Sequence, residues 1–256
     1  MLIPETELFI SQKGFTMKHK IASLLLVSAL ALPSSAFAVT SYSAILNPLN
    51  NSGVHGLANL TLDGHFLKVN LLATGLEPNQ LHVAHIHGNL DANNMPLDST
   101  IPTLAQDTDK DGFIELAEGQ ATYGPILLQL TNPPGHVGPG HAGDGFSMAP
   151  LGQINYTETF DLSQQSNFGT TFTEGQLLPL DLREIVIHGM TVGNIGAGTP
   201  GEVDGMAGFK TVLPVSAGSI YQVSPVPEPE TYALMLAGLS LLGFVARRRK
   251  ANGSVS

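Results

Sequence analysis

The chain has 256 residues, no cysteine, 21 acidic residues against 11 basic ones, and a formal charge of −10. Without cysteine it can form no disulfide and no thiolate metal site, so a transition metal would have to be held by histidine and carboxylate. The acidic balance argues against nucleic-acid binding, which needs basic surface to neutralise phosphate.

From Met17 the chain reads MKHKIASLLLVSALALPSSAFA, with basic Lys18 and Lys20, an apolar run from Ile21 to Leu32, and the small residues Ala36 and Ala38. These are the three parts of a secretory signal peptide, with cleavage expected after Ala38 and Met17 as the expected initiator. Residues 1–38 are therefore set aside as an N-terminal extension and signal. An N-terminal membrane anchor is the alternative, against which the shortness of the apolar run counts. Residues 39–225 remain as one mature domain, long enough for a well-buried core. Only Lys68, Lys110, Arg183 and Lys210 are basic there, against seventeen acids, a charge of about −13.

This domain reads as all-β. VHGLANLTL (54–62) and HFLKVNLLATGL (65–76) alternate apolar and polar residues around Asp63-Gly64, a strong hairpin signal. LHVAHIH (81–87), GPILLQLT (124–131), QINYTETFDL (153–162), REIVIHG (183–189) and GFKTVLPV (208–215) are further expected strands. No long amphipathic helix is expected. Short strands broken by Gly and Pro predict a Greek-key sandwich or barrel. Two connections, 88–123 and 132–152, are long and rich in Gly, Pro, Asn and Asp, and long loops on a β-scaffold tend to be functional or disordered.

The first connection contains DTDKDGFIELAE, residues 107–118. Asp107, Asp109 and Asp111 fall at positions 1, 3 and 5 of an EF-hand loop, and Gly112 at the sharp turn of position 6. The Phe113 carbonyl falls at position 7, Glu115 at 9 and Glu118 at 12. Carboxylates this close repel unless a cation lies between them, and hard oxygen ligands in this number suit calcium. An acidic solvated turn is the plain alternative. Pro102 lies shortly before the loop and Gly119 directly after it, so the long flanking helices of a full EF-hand are not expected.

In LHVAHIHG (81–88), His85 and His87 stand two residues apart and share one face of a strand, whereas His82 has the opposite parity and reads as structural. The second connection adds GHVGPGHAGDG (135–145), with His136, His141 and Asp144, and REIVIHGM adds His188 on a late strand. A scatter of surface histidines is the alternative to a convergent metal site.

Over most of 45–220 this set resembles copper/zinc superoxide dismutase and, more loosely, the related CHRD domains. GLEPNQLHVAHIHG is similar to the family's copper strand, HVGPGHAGD to its zinc loop, IVIHGM to the strand of the last copper histidine, and GMAGFK (205–210) to the segment lining the superoxide channel. The resemblance implies a Greek-key barrel with copper on His85, His87 and His188, and His136 able to complete the set. It also implies zinc on His136, His141 and Asp144, and Lys210 in place of the channel arginine. Copper there would dismutate superoxide. Two departures stand out: no histidine lies between 88 and 135 to bridge two metals, and the family disulfide is impossible. The calcium loop lies in the connection the disulfide would pin, and is the expected substitute staple.

The chain closes with VPEPETYALMLAGLSLLGFVARRRK, residues 226–250. A Pro-Glu-Pro triplet, about sixteen mostly apolar residues and four basic ones resemble the PEP-CTERM sorting tail of Gram-negative bacteria. That implies exosortase-type processing, a transmembrane stage before the tail is removed, and export toward the cell surface, periplasm or exopolysaccharide matrix. A retained single span is the alternative. Two functions are thus expected in competition: an exported, copper-dependent superoxide dismutase, or a non-catalytic CHRD-like module that binds surface or matrix and carries a structural calcium site.

Overall fold

The structure, a computed structural model, describes residues 39–136, 145–223 and 229–252. The signal peptide, His141, Asp144 and most of the Pro-Glu-Pro triplet lie outside the described residues. In chain order the strands are β1 (Thr40–Pro48), β2 (His55–Asp63), β3 (Phe66–Thr74), β4 (Ala84–His87), β5 (Asn89–Leu90), β6 (Pro96–Leu97), β7 (Ile126–Gln129), β8 (Gln153–Asp161), β9 (Glu184–Val192), β10 (Gly208–Ser219) and β11 (Tyr221–Val223). The helices are α1 (Leu116–Tyr123), α2 (Glu174–Leu177) and α3 (Pro229–Asn252).

Alternation builds the sheet. In β3, Leu67, Val69, Leu71 and Ala73 are buried while Phe66, Lys68 and Leu72 face out, and β8 alternates in the same way. The main sheet is antiparallel and runs β7-β4-β9-β10-β1-β2-β3-β8, with β11 added on β1. It curls into a half-barrel whose path ends at β7 and β8. The connections β3 to β4, β7 to β8 and β8 to β9 each join strands that are not neighbours, as in a Greek key. The expected all-β barrel is therefore present. Inside the curl lies the main core, with Leu60, Leu67, Leu71, Ile86, Leu128, Phe160 and Ile187 among its members.

Three details differ from expectation. The hairpin loop is Gly64-His65, because Asp63 still pairs with Phe66. An eight-residue α1 begins at Leu116, within the acidic loop, and runs through Gly119, which lies against the Tyr123 ring inside the helix. In the tail, α3 is 24 residues long, yet among the described residues no helix is long and apolar enough to cross a membrane. The apolar run of α3 is only about sixteen residues before Arg247, short of the roughly 20 a span requires.

What positions the site is the outer face of β9 and β10. The 88–123 connection covers it, with Ile114 and Tyr123 packed against Leu49, Val186 and Ala217. Arg183, fully buried, ties the neighbouring segments together. Its guanidinium donates to the carbonyls of Gln176 and Leu177 around α2, and of Asn89 and Leu97 in the β5–β6 hairpin.

Candidate metal centre

β4 runs antiparallel to β9, with His85 opposite Val186 and Ala84 opposite Ile187. Ala84 and Ile86 enter the main core, so His85 and His87 turn to the covered outer side, where His188 of β9 joins them. One ring nitrogen of each histidine lies within 4.8 Å of one nitrogen of each of the other two. All three side chains are buried, His188 completely.

The hydrogen bonds of the rings fix two tautomers. His87 Nδ1 lies 3.0 Å from the Gly124 carbonyl and His188 Nδ1 lies 2.7 Å from the Val212 carbonyl. A carbonyl only accepts, so each Nδ1 carries the proton and each Nε2 keeps its lone pair. Those two Nε2 atoms, and His85 Nδ1, are buried with no hydrogen-bond partner. Buried polar atoms are seldom left unsatisfied. Imidazoles held through one nitrogen by a carbonyl, with the other free, are the arrangement of metal-ligating histidines. Burial also keeps the rings neutral. It pushes His87 down to about 3 and His188 to about 4, and lowers His85 well below the ordinary histidine range.

Sequence reasoning missed the residues around this trio. The Tyr123 ring centroid lies 4.5 Å from that of His87, and Phe146 stands edge-on to His85 at 5.2 Å. Aromatic type alone marks neither, because Tyr123 ends α1 and Phe146 lies in the second long connection, both far from the histidine strands in sequence. Gly124 is also unmarked. Its φ is +80°, and a Cβ there would meet the Gly88 carbonyl at 2.3 Å, so only glycine brings this carbonyl to His87. His82 stays outside the cluster, its two ring nitrogens facing the His188 and Glu77 carbonyls at 3.1 Å.

His136 is exposed and is not among the described residues that cluster with the three histidines. His141 and Asp144, the other expected zinc ligands, lie outside the described residues. Lys210, on β10, forms an ion pair with Asp204 at 3.0 Å.

The acidic loop makes two overlapping groups of ligand oxygens within 4.8 Å: Asp107, Asp109 and Glu118, and Asp109, Asp111 and Glu115. Asp107 accepts from the backbone of Lys110 and Gly112, Asp111 from Phe113, and Glu118 from Thr108 and Glu115. Gly112 has φ +93°, the left-handed turn that position 6 requires. Asp109 Oδ2 and Asp111 Oδ2 remain buried and unpartnered. Glu115 is 2 % exposed and accepts the Val203 N–H, while the neighbouring Glu202 accepts from Leu116. Burial and the nearby carboxylates raise Glu115 to about 7. Asn50 completes the anchoring: its side chain accepts from the Ile114 N–H and donates to the carbonyls of Ile114 and Pro214.

Compared with known families, residues 225–250 match the PEP-CTERM protein-sorting motif. The match covers the tail and leaves the β-domain outside it. It marks an exported protein handled by exosortase-type machinery in Gram-negative bacteria. Among curated proteins none matches the chain.

Proposed function

We propose that this is an exported β-barrel metalloprotein of the superoxide dismutase type, holding copper on His85, His87 and His188. One observation carries the reading: among the described residues, His85 Nδ1, His87 Nε2 and His188 Nε2 are buried ring nitrogens without partners, on three rings that each offer one nitrogen within 4.8 Å of the others. Three neutral imidazoles suit copper, zinc, iron or nickel, and the resemblance of the sequence to the dismutase copper strand favours copper. When bound, copper supplies the one-electron chemistry that dismutates superoxide. The chain orients the rings through Gly124 and Val212, keeps them unprotonated by burial, and shields them with Tyr123 and Phe146. In this reading zinc takes His136, His141 and Asp144, Lys210 draws in the anion, and His136, exposed and outside the trio, would have to turn inward to complete the copper set. Calcium takes Asp107, Asp109, Asp111, the Phe113 carbonyl, Glu115 and Glu118, supported by the unpartnered oxygens of Asp109 and Asp111.

A second reading has its own support. The Lys210 charge is engaged by Asp204, and a domain charge of about −13 opposes an anionic substrate. On that basis the protein is a non-catalytic module at the cell surface or in an exopolysaccharide matrix, with metal in a structural role. Copper, zinc and calcium per chain, measured by mass spectrometry, together with dismutation by the copper-loaded protein, separate the two. One copper per chain with dismutation supports the enzyme, and copper without dismutation supports the module. No copper at micromolar concentration overturns the metal reading.

A further inference from the structure

We infer that Tyr123, delivered by α1 and admitted by Gly119, is a positioning residue that sets the orientation of His87 and through it the geometry of the metal centre. The inference rests on the metal reading above and extends it to a residue that ligates nothing. Tyr123 is fully buried. Its ring lies against His87 with centroids 4.5 Å apart and planes at 63°. Its hydroxyl donates to the Leu116 carbonyl at 3.1 Å, one end of α1 clasping the other. The next residue, Gly124, supplies the carbonyl that holds His87 Nδ1. Two consecutive residues at the end of one helix thus fix His87, by ring contact and by hydrogen bond.

Gly119 shows how tightly this is built. A Cβ at that position would meet two carbons of the Tyr123 ring, at 2.4 and 2.7 Å, and its hydroxyl oxygen at 2.7 Å. Gly is less favourable than Ala in a helix interior, so an ordinary helix gains from alanine there. Here the methyl group would press on a ring that also touches His87. A small cavity of about 90 Å³, lined by His87, Tyr123 and Gly124, adjoins the contact and gives the displaced ring some room to move.

The test uses the full-length protein with Gly119→Ala, Tyr123→Phe and Tyr123→Ala, each checked for folding by circular dichroism. Copper(II) is the probe, read by affinity and by the electron paramagnetic resonance spectrum. Gly119→Ala and Tyr123→Ala should alter the spectrum and weaken binding about 10-fold or more, as losses behind a ligand do. Tyr123→Phe keeps the ring and should stay near wild type. Wild-type spectra and affinity in both folded Gly119→Ala and Tyr123→Ala overturn the inference. Should the wild type bind no copper, the metal reading has failed, and the ¹⁵N signals of the His87 ring in ion-free protein decide on positioning. A tautomer signal changed in Tyr123→Ala and retained in Tyr123→Phe sustains it, and one unchanged in both variants overturns it.

Discussion

The histidine cluster and the acidic loop each gather ligand-type atoms within 4.8 Å, and they are built by opposite means. The histidines come from β4 and β9, whose ladder fixes them at long sequence separation, and they lie under cover. Burial makes them neutral and leaves one nitrogen of each without a protein partner. The acidic residues come from a single stretch of twelve, partly exposed except for Glu115, and most already accept N–H groups of their own loop. Rigid strands therefore prearrange an uncharged site. The loop instead concentrates negative charge that a cation would relieve. Two metals of different hardness can be sorted by such a pair without competition.

The largest effect expected is on the strand site. Alanine at both His85 and His87 should abolish copper binding in isothermal titration and leave the calcium response intact, because the two sites share no side chain. Loss of both responses would show that the sites are not independent. Next comes the loop. Calcium at a hundredfold excess over its Kd should stabilise the protein by about 2.7 kcal/mol, or raise Tm by roughly 5–10 °C at this chain length. Asp109→Asn with Asp111→Asn should remove that rise and keep copper binding. A retained rise would dissociate calcium from the loop.

The two regions also titrate in opposite directions, which a pH series on ion-free protein can read. His87 and His188 fold with values of about 3 and about 4, against 6.5 for an ordinary histidine. Between those values the unfolded chain binds protons that the folded chain refuses. Stability from the cluster therefore rises with pH through that window and is complete above 6.5. Glu115 is raised from 4.5 to about 7. The folded chain keeps its proton after the unfolded chain has lost it, so stability from the loop falls as pH rises from 4.5 to 7. Glu184, likewise raised to about 7 by burial, adds to that fall. Urea midpoints for Glu115→Gln should show a shallower decline above pH 4.5 than wild type, with the low-pH limb unchanged. An identical decline would place the proton elsewhere.

Much of this contrast was legible in the sequence, for a physical reason. A strand repeats every two residues, so His85-x-His87 announces a shared face, and the EF-hand spacing of 107–118 is contained in one local segment. What escaped depends on contacts between remote positions. Thr40 to Pro48 forms a central strand although its first half is Thr, Ser and Tyr with no clear alternation. Gly119 reads as a helix end and serves as a packing slot. Asn50 reaches 64 residues along the chain to Ile114 and 164 to Pro214. Glu115 reads as a loop ligand and also holds the Val203 backbone. Burial was equally hidden: parity says that two side chains share a face, and only the covering connection says that water is excluded from it.

The smallest expected effect concerns the charge between the two regions. Lys210 belongs to β10, whose Val212 holds His188, and its ion-pair partner Asp204 lies in the connection whose Val203 and Glu202 grip the start of α1. If Lys210 guides superoxide, Asp204→Asn should free its charge and raise the dismutation rate at low ionic strength, while Lys210→Met lowers it. If Lys210 only fastens the connection, the two substitutions should act alike. Each would then cost a small and similar amount of stability, as exposed ion pairs contribute little, and neither would move the rate. Opposite signs in the rate assign Lys210 to the strand site; equal small losses in Tm assign it to the scaffold shared by both sites.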